Sequence, residues 1–244
     1  MRTTMQWLRA RRLNNKGPRP SLFLLQYSAI VINLGLLAFL VFDGPVGAGE
    51  KQINAYVRQF GGLITDIGRS WWILSVSAIL FAAAYLYSRR TDDLRRKLQR
   101  LRIAHIGAYL FVSVASATIT VNAVKRIVGR ARPLSFEDFG KFSFQPFTND
   151  FLWESFPSGH STTIGAMAMA AALLMPRFRL PLALAAIWLA MTRVMIGVHY
   201  PSDVIVGLGW GSWFSLATAV LFARYRMVFR GEGNGPPVPR FHRL

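Results

Sequence analysis

The sequence predicts an all-α fold: a polytopic membrane bundle of about six transmembrane helices. Three observations carry that expectation. Apolar residues make up 52% of the 244 and charged residues only 16%, a balance unusual for a soluble domain. Apolar runs repeatedly approach the roughly 20 residues a helix needs to cross a bilayer. Lys and Arg gather in the segments between those runs.

Six apolar windows follow in order, with ends placed to within about two to four residues. The first, 21–42, follows a basic stretch and precedes the small residues Val46, Gly47 and Ala48. A cleaved signal peptide has that layout too. Its apolar core is roughly 7–15 residues, however, so this longer run is expected to be a retained span. The second window covers 70–87 and the third 105–124. The fourth, 158–175, is the shortest and has to start at the Pro157-Ser158 turn to be long enough. The fifth, 180–198, contains Arg193, and the sixth, 204–223, follows a short turn whose Pro201 suits the first turn of a helix. One domain is expected over 1–230. The segment 231–244 opens Gly-Glu-Gly-Asn-Gly-Pro-Pro and reads as a flexible cytoplasmic tail.

Charge sets the expected orientation. Of 29 Lys and Arg, 20 fall before the first window, between the second and third, between the fourth and fifth, or after the sixth. Both termini are therefore expected in the cytoplasm of a bacterial inner membrane, with the basic segments against anionic lipid headgroups. A net charge of +18 raises nucleic-acid binding as a possibility, but clusters flanking apolar runs are the footprint of topology, and no nucleic acid is expected. The absence of cysteine removes thiol chemistry and Cys-based metal sites. The first outer loop, 44–69, places Ile53, Tyr56, Val57, Phe60, Leu63 and Ile64 at helical spacing. It reads either as an interfacial helix on the outer leaflet or as a short helix capping the bundle.

Three clusters carry chemistry, and this topology puts all three on the outer face. Lys125 to Pro133 follows the third window, Phe156 to Ser161 opens the fourth, and Thr192 to Asp203 joins the fifth and sixth. Phosphoryl transfer needs positive charge on the non-bridging oxygens, an in-line nucleophile and a proton for the leaving oxygen. Lys125, Arg132 and Arg193 offer the charge, and Arg can grip two oxygens at once. Ser158, Gly159 and His160 offer backbone N–H groups at a helix N-terminus. His199 has Asp203 four residues on, one helical turn, so the carboxylate can hold one ring nitrogen while the other attacks. Read singly, each cluster has a plainer meaning. Arg126 and Arg130 fit topology signals or headgroup contacts, His105 and His242 fit structural roles, and His-x-x-x-Asp fits half of a metal site. The acids of the loop between the third and fourth windows lack ligand-like spacing, so no metal is expected.

Together, K-x6-R-P, then P-S-G-H, then R-x5-H-x3-D resemble the type 2 phosphatidic acid phosphatase superfamily, over Lys125 to Asp203. The resemblance implies that His199 is phosphorylated, Asp203 orients it, and His160 protonates the leaving oxygen and then activates water. It implies that Lys125, Arg132, Ser158, Gly159 and Arg193 hold the phosphate, with no cofactor. Thr192 departs from the family's usual serine but keeps the hydroxyl. Arg193, about six residues inside its window, is expected roughly 9 Å below the window's end. The expected substrate is a lipid phosphate of the outer leaflet, entering sideways between spans. Undecaprenyl diphosphate leads and the 1-phosphate of lipid A is a close second, ahead of phosphatidylglycerol phosphate and phosphatidate. The Phe-rich loop 134–153 is either the specificity element or a plain interfacial anchor. A lipid-to-lipid phosphotransferase would share these residues. A transporter would instead bury charge and broken helices near the midplane.

Overall fold

The computed structural model describes residue 6, residues 21–231 and residues 235–240. The basic residues before 21, together with His242, lie outside the described residues. In chain order the helices are α1 (Ser21–Val41), α2 (Asp43–Ala48), α3 (Ala55–Thr65), α4 (Ser70–Arg89), α5 (Leu94–Val128), the short α6 (Phe136–Phe139), α7 (Gly159–Leu174), α8 (Arg179–Met195) and α9 (Pro201–Arg224). A two-stranded antiparallel ribbon, β1 (Phe229–Arg230) with β2 (Val238–Pro239), closes the chain.

Among the described residues five helical stretches are long and apolar enough to cross a membrane: α1, α4 with α3 leading into it, α5, α8 and α9. Their outward faces are apolar, as Leu22, Leu25, Ile30, Ile32, Leu36 and Leu40 of α1 illustrate, because lipid rather than water is the solvent there. The remaining expected span, the fourth, is α7. Its 16 residues reach about 24 Å, short of a full crossing. It is enclosed by its neighbours instead, and small residues let α9 lie almost against it. A Cβ on Gly165 would sit 2.2 Å from the Leu208 carbonyl oxygen, and one on Gly211 1.9 Å from that of Thr162. Close approach of this kind is how helices associate in a solvent as apolar as themselves. At the end of the bundle remote from α7's first turn, Tyr109, Leu173, Leu216, Phe222 and Phe229 form the main core. Phe229 meets the Tyr109 ring edge-on at 4.8 Å, and Arg240 N–H donates to the Val228 carbonyl at 3.1 Å. Within the segment expected to be a flexible tail, residues 238–240 are thus tied back to the bundle.

Several boundaries depart from expectation. The third span is part of a 35-residue helix, about 52 Å long, which begins at Leu94 where Asp93 caps it by accepting from the Arg95 N–H at 2.8 Å. The basic stretch 94–102, expected as loop, is helical because its Arg, Lys, Leu and Gln are good helix formers. The fifth span stops at Met195, three residues early. Gly197 takes φ +75° there, a left-handed conformation that ends the helix. Arg193 therefore lies in the last helical turn, about 3 Å from its end rather than 9 Å. The two readings of the first outer loop combine: α3 buries Gly61 and Thr65 against α8 and leaves Tyr56, Phe60 and Leu63 exposed.

Candidate active site

Each cluster is set by a local stop signal. Gly129, at φ +58°, ends α5 and turns the chain into an extended stretch, held by Ala131 N–H on Ser143 and Arg132 N–H on Leu152. Residues two apart in extended chain share a face, so Arg130 and Arg132 both point toward the turn before α9. Lys125, in the last turn of α5, donates to the Glu154 carbonyl at 2.9 Å, and Arg132 Nη2 donates to that same oxygen at 3.1 Å. Arg132 also bonds the carbonyls of Phe151 (2.8 Å) and Val198 (3.0 Å), and its guanidinium lies 3.7 Å from the centre of the Phe151 ring. A Cβ on Gly159 would sit 3.7 Å from Lys125 Cε, so the start of α7 belongs to the same pocket.

The third cluster is a tight turn. The Val198 and His199 N–H groups both donate to the Arg193 carbonyl, at 3.2 and 3.3 Å, which fixes the spacing of Arg193 and His199. Arg193 Nη1 donates to Thr65 Oγ1 of α3 at 3.0 Å. His199 is 1% exposed, and its Nδ1 stands 3.5 Å from Asp203 Oδ2, at the outer edge of hydrogen-bonding range. Asp203 is saturated: Oδ2 accepts from Ser155 Oγ (2.6 Å) and Tyr200 N–H (2.9 Å), and Oδ1 from Arg130 Nη1 (2.6 Å). Ser158 N–H donates to the Asp203 carbonyl at 3.0 Å, joining the second cluster to the third. His160, half-buried, packs against the backbone of Gly68, where a Cβ would come within 3.1 Å of it. The charges of Arg193 and Lys125 act on it directly.

All eight residues singled out from the sequence (Lys125, Arg132, Ser158, Gly159, His160, Arg193, His199 and Asp203) gather in this one region. Two details differ from expectation. The Ser158 N–H, expected to face an anion, donates instead to the Asp203 carbonyl, and the Ser158 hydroxyl caps its own helix by accepting from Ser161, so the helix N-terminus is left to offer the N–H groups of Gly159 and His160. The Thr192 hydroxyl donates to the Leu189 carbonyl at 2.6 Å and is not aimed at the pocket. Sequence reading missed Asp43, Ser155 and Thr65, and it offers Arg130 only the plainer roles of topology signal or headgroup contact. Arg130 is 2% exposed, pairs with Asp43 Oδ2 at 2.8 Å as well as with Asp203, and is therefore structural to the site. Arg126 is exposed, as a topology residue would be.

The electrostatics favour an anion. Lys125, Arg132 and Arg193 are all buried, yet among the described residues none has a carboxylate within ion-pairing distance. Buried cations held only by carbonyls and a hydroxyl are poised for a multivalent anion. Burial holds the Arg132 guanidinium down to about 10, against the pull of Asp203 and Glu154. Burial also pushes His199 well below the ordinary histidine range, and Arg132 and Lys125 add to that while Asp203 opposes it. The imidazole is therefore neutral and nucleophilic near pH 7.

A family model described as PAP2 superfamily matches residues 106–227, half of the chain. The chain belongs to the PAP2 superfamily. A lipid A 1-phosphatase of Rhizobium etli is 47% identical over 211 residues, covering 86% of this chain and 90% of the relative. An undecaprenyl-diphosphatase of Sulfolobus acidocaldarius is 31% identical over 115 residues, covering 47% and 54%. Among solved structures, a transmembrane PAP2-type phosphatidylglycerolphosphate phosphatase from Bacillus subtilis superposes with a TM-score of 0.56 at 20% identity. The match covers 81% of this chain and 94% of that one. The fold is that of a PAP2 membrane bundle. The chain is a multi-pass membrane lipid phosphatase of the PAP2 type, a phosphoric ester hydrolase.

Proposed function

We propose that this PAP2 phosphatase removes the 1-phosphate of lipid A at the periplasmic face of the bacterial inner membrane, with both termini in the cytoplasm. The observation that carries the substrate is the 47% identity to a lipid A 1-phosphatase along nearly that relative's whole length. The undecaprenyl diphosphate reading rests on a shorter and weaker likeness, so the order expected from sequence reverses. The excess of Lys and Arg in the segments assigned to the cytoplasm supports the orientation. Those same segments would meet anionic headgroups.

Lys125, Arg132, Arg193 and the N-terminus of α7 bind the non-bridging oxygens, neutralising charge that the buried site would otherwise leave exposed to a low dielectric. His199 Nε2, the ring nitrogen away from Asp203, attacks phosphorus. The N–P bond forms as the bond to the sugar oxygen breaks, and His160 gives that oxygen its proton. Asp203 stabilises the cationic ring. His160, now a base, takes a proton from water, whose oxygen attacks phosphorus. The P–N bond breaks and inorganic phosphate leaves. The lipid enters sideways, with α3 and the Phe-rich loop 134–153 at headgroup depth, where exposed Tyr56, Phe60, Phe142 and Phe147 would contact it.

Purified protein in detergent, given lipid A bearing phosphates at both ends, tests this. Mass spectrometry should find loss of the 1-phosphate with equimolar inorganic phosphate. Release from undecaprenyl diphosphate but not from lipid A would overturn the substrate assignment. Phosphate recovered on a second lipid would make the protein a phosphotransferase.

A further inference from the structure

Asp43 sits outside the Lys125–Asp203 signature, 82 residues upstream of Lys125, yet it is fully buried at the catalytic turn. Its Oδ1 accepts from the Ser202 N–H at 3.0 Å and its Oδ2 from the Ser202 hydroxyl and from Arg130 Nη2 at 2.8 Å. It thereby caps α9 from another helix. Arg130 lies between this acid and Asp203, bonding Asp203 Oδ1 at 2.6 Å and Ser202 Oγ at 2.9 Å. Its guanidinium is flanked by the Tyr200 ring at 4.1 Å and the Phe39 ring at 5.0 Å. None of these three charged groups faces solvent, and the hydrogen bonds of Arg130 go to Asp43, Ser202 and Asp203.

We propose that the Asp43–Arg130 pair is a positioning device for the reaction: Asp43 fixes the guanidinium, and the guanidinium fixes the Asp203 carboxylate so that Oδ2 faces His199. The device deepens the phosphohistidine reading above and depends on it. Its geometry explains why a buried Arg stands among a signature's phosphate ligands without being one. Two acids share the N-terminus of α9, and without the guanidinium between them the carboxylates would repel each other. A rotated Asp203 would stabilise a cationic His199 poorly. Asp43 also makes the start of α2, directly after the first span, part of the catalytic apparatus.

The test compares wild type with Arg130→Lys, Arg130→Met, Asp43→Asn and the double variant Asp43→Asn/Arg130→Met. The double variant removes one cation and one acid, so it keeps the local charge balanced and protects against simple misfolding. For each, kcat and KM are measured on lipid A, and orthovanadate affinity is measured as a substrate-independent probe of the pocket. Misplacement of a reacting group by about 1 Å costs about 100-fold. The double variant should therefore unfold at a temperature near wild type, keep KM within about threefold, and lose about 100-fold in kcat with a parallel loss of vanadate affinity. Arg130→Lys should recover part of that loss by restoring the charge without the fork. Wild-type kcat in a folded double variant, or a change confined to KM, overturns the positioning role alone. A wild-type protein that neither hydrolyses lipid phosphates nor binds orthovanadate overturns the phosphatase site and the device together.

Discussion

The backbone N–H of Ser158 donates to the carbonyl oxygen of Asp203 at 3.0 Å, which ties the turn bearing His160 to the turn bearing His199. The contact exists because Gly207, one turn after Asp203 in α9, lets Ser158 approach. A Cβ there would lie 2.6 Å from the Ser158 carbonyl oxygen.

Gly207→Ala should push the two turns apart. The expected result is a loss of about 1–3 kcal/mol in stability, the range for overpacking, and at least tenfold in kcat. Gly62→Ala is the control, because a Cβ there meets nothing within 4 Å. It should leave activity unchanged and raise stability by up to about 1 kcal/mol through helix propensity. Thermal unfolding and phosphate release on both variants check this.

Arg132 and Lys125 share the Glu154 carbonyl, but only Arg132 can also span Val198 and lie over Phe151. Arg132→Lys keeps the charge and loses the fork, so kcat/KM should fall about 100-fold, comparable to losing one oxyanion donor. A variant within threefold of wild type would place Arg132 outside the phosphate site.

Thr65→Val should leave the buried Arg193 Nη1 without its partner. A lost bond of this kind is worth about 1–3 kcal/mol, or roughly 5- to 150-fold in kcat/KM, and Thr65→Ser should restore it. Steady-state kinetics on the pair tests whether α3 takes part in binding.

The pH dependence follows from burial of His199. Its folded-state pKa lies below 6.5, so the ring stays neutral as pH falls through the ordinary histidine range and gains a proton only at lower pH. Histidine-selective NMR in detergent should show a neutral His199 at pH 6. Titration at or above pH 6.5 would contradict the described environment.

The site's legibility in the sequence followed the chain. Residues within one contiguous cluster, such as Arg193 with His199 or His199 with Asp203, announce themselves by spacing. Asp43 and Thr65 do not, because their partners lie 159 and 128 residues away and neither sits in a pattern. Arg130 is ambiguous in the sequence, since a cation beside a span end looks the same whether it meets headgroups or a buried acid. The fifth span overran because Ile196 and Val198 extend the apolar run, although Gly197 between them is the kind of residue that stops a helix. The six-helix bundle itself was readable from hydropathy, since lipid-facing helices must be apolar along their length. α7 was the weakest window for a physical reason: enclosed by protein, it can be short and can carry Ser161, Thr162 and Thr163.

Trapping the covalent intermediate tests the central claim most directly. Acid-free rapid quenching of the wild-type protein during turnover of lipid A, followed by peptide mass spectrometry, should find a phosphoryl group on His199. His199→Ala should show none and release no phosphate. A phosphoryl group on any other residue, or full turnover by His199→Ala, would contradict the account.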